Sequence, residues 1–191
     1  LNLVNGDEYG VREDEVFGAA SVIKLPLFMH VLAEAAAGRM SMEEKLTITA
    51  EDKVPICGAL TLFTGDVTCD VRTLCRLMIC ISDNTATNRL IRHCGIPNLE
   101  TGFAELGLEK TRIRRLLFDA AATAKGIFNS ISPKELGLLL EKLYRGEFID
   151  QETSQYAIDV LSEQQINHKL GGKLGEDVLI AHKTGEDDNL S

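Results

Sequence analysis

Three short stretches carry side chains that could do chemistry together: Ser21-Val22-Ile23-Lys24, Ser82-Asp83-Asn84 and Lys183-Thr184-Gly185. A serine hydroxyl is a poor nucleophile until a neighbour takes its proton. Lys24 stands three residues on, and positions i and i+3 share a helix face, so its amine can reach Ser21. Partial burial would lower the lysine pKa and make it a usable base. At the first turn of a helix, free backbone N–H groups can also stabilise a developing oxyanion. The other two stretches are a polar break and a lysine after an apolar run, both suited to lining a cleft.

The elements around these residues follow from pattern. Residues 21–37 are apolar nearly all round, which predicts a central, buried helix starting near Ser21, with Pro26 tolerated in its first turn and Gly38 ending it. His30 on that helix reads as packed. Helices are predicted over about 71–81 and 85–94, with Ser82-Asp83-Asn84 as the tight break between them. Further helices are predicted near Asn98–Leu106, from Ser132-Pro133-Lys134-Glu135 to about Arg145, and over about 151–163. Asn5-Gly6 between Leu1–Val4 and Glu8–Val11 predicts a hairpin. Lys45–Ala50 and Val178–Ala181 read as strands, the latter delivering Lys183.

Composition narrows the function classes. The 191 residues suffice for one domain with a substantial core, and the net charge of −9 with no basic stripe argues against a nucleic-acid partner. No apolar run is long enough to span a bilayer, and no signal peptide is visible in a chain that begins at Leu1. The five cysteines are odd in number and include no C-x-x-C. That argues against a complete disulfide framework and a zinc site, and Cys75 and Cys80 read as small core residues. His30, His93, His168 and His182 show no metal-ligand spacing.

S-x-x-K should occur about once by chance in a chain this long, whereas S-D-N or K-T-G should each occur in roughly a few per cent of such chains. All three in this order, with Ala-Ala-Ser-Val-Ile-Lys-Leu-Pro and Ile-Ser-Asp-Asn-Thr-Ala-Thr-Asn around them, resemble the class A β-lactamase and penicillin-binding-protein family of serine hydrolases. The resemblance runs from about Val16 to Gly185. It implies an α/β (α+β) fold of two lobes, a helical lobe over about 21–170 and a small antiparallel sheet over about 1–20 and 171–191, in one domain truncated at both ends. It also implies acylation of Ser21 by a β-lactam or a peptidoglycan stem peptide, with Lys24 as base and Ser82 relaying a proton to the leaving nitrogen. Asn84 would hold the substrate amide and Asp83 would brace the loop. Lys183 and Thr184 would bind the substrate carboxylate, Gly185 would leave room, and the N–H groups of Ser21 and Glu186 would form the oxyanion hole. No cofactor or metal is implied, and the resemblance places the protein outside the cytoplasm, secreted or in the cell envelope.

The chain departs from the class A pattern at one point. That pattern has a water-activating glutamate followed four residues later by asparagine, and the position falls near Phe118, within Leu117-Phe118-Asp119-Ala120. Asp119 is the candidate substitute. Without such a carboxylate, acylation would outlive hydrolysis. Three readings follow: a β-lactam hydrolase, a D-Ala-D-Ala carboxypeptidase- or esterase-like enzyme, and a penicillin-binding or sensing domain that is acylated once.

Overall fold

The structure, a computed structural model, describes residues 1–169, 171–175 and 177–186. A two-residue strand β1 (Phe17–Gly18) leads into a single 3-10 turn, Ala20–Ile23, and then helix α1 (Lys24–Ala36). There follow β2 (Lys45–Ile48), β3 (Val67–Asp70), α2 (Val71–Cys80), α3 (Asn84–Cys94) and α4 (Ile96–Glu105). After an irregular stretch come α5 (Ala120–Ala124), β4 (Ser130–Ile131), α6 (Pro133–Arg145) and α7 (Gln151–Ser162).

The all-round apolar sequence of α1 has the expected consequence: every residue from Lys24 to Leu32 is buried. α2, α3 and α4 all pack against it, and α7 packs on both α2 and α6. α2 turns Val71, Leu74, Cys75, Met78 and Ile79 inward at helical spacing, all fully buried. Burial of each such side chain contributes about 1.5–3 kcal/mol, so α1 is held firmly at its position in the fold.

The strands form two small antiparallel sheets. β1 pairs with β4, Phe17 opposite Ile131, and β2 pairs with β3 from Lys45 opposite Asp70 to Ile48 opposite Val67. β2 alternates as a half-buried strand should, Leu46 and Ile48 inward and Lys45 outward against Asp70 at 3.0 Å. The mixture of helices with small antiparallel sheet is the expected fold class.

Several elements differ from expectation. The Asn5-Gly6 turn forms and closes a loop through Asn2 N–H to Asp7 O (2.7 Å), but its flanks pair no further. Val4, Tyr9 and Val11 stay exposed, so nothing there rewards a ladder. Residues 178–181 form no strand among the described residues: Val178 sits in a bend with its N–H on Gly175 O (3.0 Å), and Val178 and Leu179 find no apolar face to cover. α5 is hidden in the sequence by its alanine-rich, non-periodic composition. At α6 the expected capping box does not close. Ser132 Oγ donates to Glu13 O (3.1 Å), while Glu135 turns to the irregular stretch and accepts from the N–H groups of Glu109, Lys110 and Thr111, each at 2.8 Å.

Candidate active site

Ser21 lies in the 3-10 turn just ahead of α1, and Lys24 is the first residue of the helix proper. The turn is entered through Ala20 at φ 41°, a left-handed conformation that is uncommon outside glycine. The i to i+3 geometry holds: Lys24 Nζ is 2.9 Å from Ser21 Oγ. Lys24 is fully buried at the root of the core, and its Nζ also donates to Ser82 O (2.8 Å), Ser82 Oγ (2.8 Å) and Asn84 Oδ1 (2.7 Å).

The chain reverses between α2 and α3 through Ser82, which sits at φ 57°. Strain of this kind, about 1–3 kcal/mol per residue, persists only where the surroundings enforce it. Here Asp83 does much of the enforcing. It is wholly buried and caps α3 by accepting from Ala86 N (2.9 Å), while its second oxygen accepts from Ala59 N (2.7 Å) and Leu60 N (3.0 Å). Asp83 is therefore a brace, as expected from the sequence, and it ties a second loop to the break.

Lys183 arrives from the far end of the chain. Its Nζ donates to the same Ser82 Oγ at 3.1 Å and to Thr184 O at 2.7 Å. A methyl group added to Gly185 would lie 2.7 Å from Val22 Cγ2 and 3.1 Å from Val22 N. Gly185 thus lets the segment lie directly against the Ser21 turn, which is a tighter reason for glycine than room for substrate. It brings the backbone near Glu186 beside the turn that carries Ser21. The Glu186 carboxylate itself points to His168 Nε2 (2.6 Å) and Lys169 Nζ (3.4 Å).

Two lysines thus converge on one hydroxyl. Burial, and then the charge of Lys183, push the Lys24 pKa down to about 6. Burial pushes Lys183 down to about 8. Near neutral pH Lys24 is mostly a free amine and Lys183 mostly an ammonium. With Lys24 neutral, the 2.9 Å contact runs the other way: Ser21 Oγ–H donates to the nitrogen lone pair, and the two N–H groups that remain are shared among Ser82 O, Ser82 Oγ and Asn84 Oδ1. That is the geometry of a nucleophile with its base.

Asn88, one turn beyond Asn84 on α3, ends the Ile-Ser-Asp-Asn-Thr-Ala-Thr-Asn stretch, which by itself assigns it no role. Its amide pins the backbone of Leu117 from both sides, Leu117 N donating to Asn88 Oδ1 (2.8 Å) and Asn88 Nδ2 donating to Leu117 O (3.0 Å). Leu117, rather than Phe118, is therefore the residue fixed beside the start of α3. Phe118 follows at φ 60° and half exposed. Asp119 accepts from Ala122 N (2.9 Å) as the cap of α5. Among the described residues no cluster of His, Cys, Asp and Glu could hold a metal ion, and no helix is long and apolar enough to cross a membrane.

Comparison with known proteins gives a consistent picture. A family model described as the beta-lactamase enzyme family matches residues 1–191. A beta-lactamase of Rhodobacter capsulatus is 33% identical over 186 residues, covering 94% of this chain and 62% of that protein. Beta-lactamase L2 of Stenotrophomonas maltophilia is 29% identical, again with 62% of its length covered, so the chain spans under two thirds of these curated relatives. Among solved structures, PBP-A is 34% identical with a TM-score of 0.86, over 96% of this chain and 68% of that one. A point mutant of PBP-A, solved as an acyl-enzyme complex with penicillin-G, superposes equally well.

Proposed function

The chain belongs to the beta-lactamase enzyme family, and from that premise we propose that it is a serine hydrolase of the β-lactamase type, attacking the β-lactam amide through an acyl-enzyme on Ser21. The observation that carries this is the Lys24–Ser21 contact of 2.9 Å in a site where the lysine is buried. Lys24 takes the Ser21 proton as Oγ adds to the carbonyl carbon. Ser82, within reach of both lysines, passes a proton to the ring nitrogen as the C–N bond breaks. Lys183 and Thr184 hold the substrate carboxylate, Asn84 its side-chain amide, and the N–H groups of Ser21 and Glu186 the oxyanion.

Deacylation is slow in this reading. The residue that Asn88 pins beside α3 is Leu117, an apolar side chain that cannot activate water, and the Asp119 carboxylate is taken up capping α5. This favours the second reading, a penicillin-binding or D-Ala-D-Ala peptidase-like protein whose acyl-enzyme is long-lived. An acyl-enzyme complex with penicillin-G has been solved for a point mutant of the related PBP-A. A substrate of either kind, β-lactam or peptidoglycan stem peptide, would be met outside the cytoplasm.

Intact mass of the full-length protein during incubation with a penicillin separates these. An adduct on Ser21 persisting for hours supports acylation with slow release. Penicillin consumed with the protein unmodified supports true hydrolysis. Neither adduct nor consumption overturns the β-lactam assignment.

A further inference from the structure

The loop leading to Leu60 is built in an unusual way. Three consecutive residues occupy the left-handed region: Ile56 at φ 60°, Cys57 at φ 57° and Gly58 at φ 113°. For a β-branched residue such as Ile56 this is a genuine outlier, and it needs an enforcing partner. The partner is the Ser82-Asp83-Asn84 break. Asn84 Nδ2 donates to Ile56 O at 2.6 Å, Asn84 N to Cys57 O at 3.4 Å, and Val54 N to Thr85 Oγ1 at 3.1 Å. Beyond Gly58, the N–H groups of Ala59 and Leu60 close on Asp83.

At Gly58 the loop passes tightly against the break. A methyl group there would lie 2.2 Å from the Asp83 carboxyl carbon and 2.7 Å from Asp83 Cα. The second atom is backbone and cannot swing aside. Only glycine lets the loop seat, by space and by φ alike.

The consequence reaches the base. The Asn84 amide has one end on Ile56 O and the other, Oδ1, on Lys24 Nζ at 2.7 Å. The Ile56 carbonyl thereby decides which way the amide faces. Were the amide free to turn over, its NH2 would face the lysine and repel the ammonium or compete with Ser21 for the free amine. Asn84 is also almost fully buried under this loop, so the same seating keeps water from Lys24.

We propose that Gly58 is a positioning residue for the Lys24–Ser21 pair, acting through the Ile56 carbonyl and the Asn84 amide. The inference rests on the reading of Ser21 as an acylated nucleophile only for its effect on rate. The effect on Lys24 is independent of any substrate.

The test uses 13C-labelled lysine and follows the Lys24 side-chain signal against pH, assigned by its loss in Lys24→Met. Burial is the largest influence holding Lys24 down to about 6, so unseating the loop admits water and raises the midpoint toward the ordinary lysine value. Gly58→Ala should raise it by at least one unit and slow penicillin acylation of Ser21 at least about fivefold at pH 6 and about tenfold near pH 5, one unit being tenfold in free amine below the midpoint. Thr85→Val, which removes only the Val54 anchor, should shift it in the same direction by less, and it decides the matter if Gly58→Ala does not fold. Glu135→Gln, which loosens the fold elsewhere, should leave the midpoint in place. If Thr85→Val and a folded Gly58→Ala both melt earlier yet keep the wild-type midpoint and acid limb, the loop is merely structural and the inference is wrong. If the wild type is never acylated, the proposed function falls while the titration still decides the role of Gly58.

Discussion

The pairing of two lysines on Ser82 Oγ predicts how acylation depends on pH, and replacing Lys183 tests it. With Lys24 at about 6, about 90% of it is free amine at pH 7, against about 0.03% for an ordinary lysine, a gain of about 3,000-fold in available base. With Lys183 at about 8, about 90% of it remains charged at pH 7 to hold the substrate carboxylate. The second-order acylation rate should therefore be bell-shaped, flat near pH 7 and about tenfold lower near pH 5 and pH 9. Both ammonium nitrogens lie within hydrogen-bond reach of one oxygen, so they stand about 5 Å apart and repel by about 1–3 kcal/mol at effective dielectrics between water and protein. That is about one to two pKa units. Lys183→Gln removes the repulsion, so the acid limb should move up to about 7–8, the alkaline limb should vanish and penicillin affinity should fall. Lys183→Arg should keep the acid limb and lose the alkaline one. Stopped-flow acylation with a fluorescent penicillin across pH 4.5–10 reads all of this. An acid limb that stays or moves down in Lys183→Gln would refute the electrostatic coupling, and one that survives unchanged in Lys24→Met would refute Lys24 as the base.

Leu117→Glu places a carboxylate where Asn88 pins the chain, and it should shorten the acyl-enzyme lifetime about a hundredfold, the lower range for a general base, as read by intact mass. Because the folded Lys24 pKa is depressed, the unfolded state binds more protons above about pH 6, so this group adds stability as pH rises from there toward 10.5. Urea unfolding at pH 6 and pH 8 should show the wild type gaining about 2–3 kcal/mol relative to Lys24→Met, and equal slopes would contradict the depressed pKa. Cys57 is the exposed cysteine, and its backbone carbonyl accepts from Asn84 N at 3.4 Å, beside the site. A bulky thiol reagent should modify it first and block penicillin acylation, with Cys57→Ser resistant, and labelling without inhibition would put Cys57 outside the substrate path. Glu135→Gln leaves an amide NH2 facing at least one of three backbone N–H donors, so it should cost about 2–4 kcal/mol in thermal or urea unfolding while leaving acylation at 25 °C unchanged.

The parts of this molecule that are legible in its sequence are those where one local rule suffices. The apolar circumference of residues 21–37 predicts a buried helix, and the structure buries Lys24, the first residue of α1, with it. Ser21 at i−3 is within its reach by spacing, and the structure brings the two to 2.9 Å. The polar break at Ser82 is equally plain between two amphipathic runs. What cannot be read is pairing across distance. Asn88 closes a stretch that the resemblance picks out, but its task is invisible until Leu117 is beside it. The strand reading of Val178–Ala181 depends on a partner that local sequence does not name. Glu135 fits a capping box by spacing, and only the fold reveals that three N–H groups of the 109–111 stretch compete for it more strongly.

The largest gap concerns strain, and it has a physical reason. Ala20, Ile56, Cys57, Ser82 and Phe118 all adopt positive φ, none is glycine, and each sits within or beside the segments that form the site. Sequence rules assign each residue its preferred conformation, so they are wrong wherever tertiary contacts overrule preference. Such overruling costs stability and survives only where neighbours hold it. Here the holders are named: Asp83 for the 58–60 turn, Asn84 for Ile56, Asn88 for the chain entering Phe118. Three side chains at the cap and first turns of α3 therefore serve the loops as much as the chemistry. A substitution in α3 should accordingly be judged by two measurements, the stability of the loop it holds and the titration of Lys24, because a change that moves the first alone has touched the scaffold and one that moves both has touched the base.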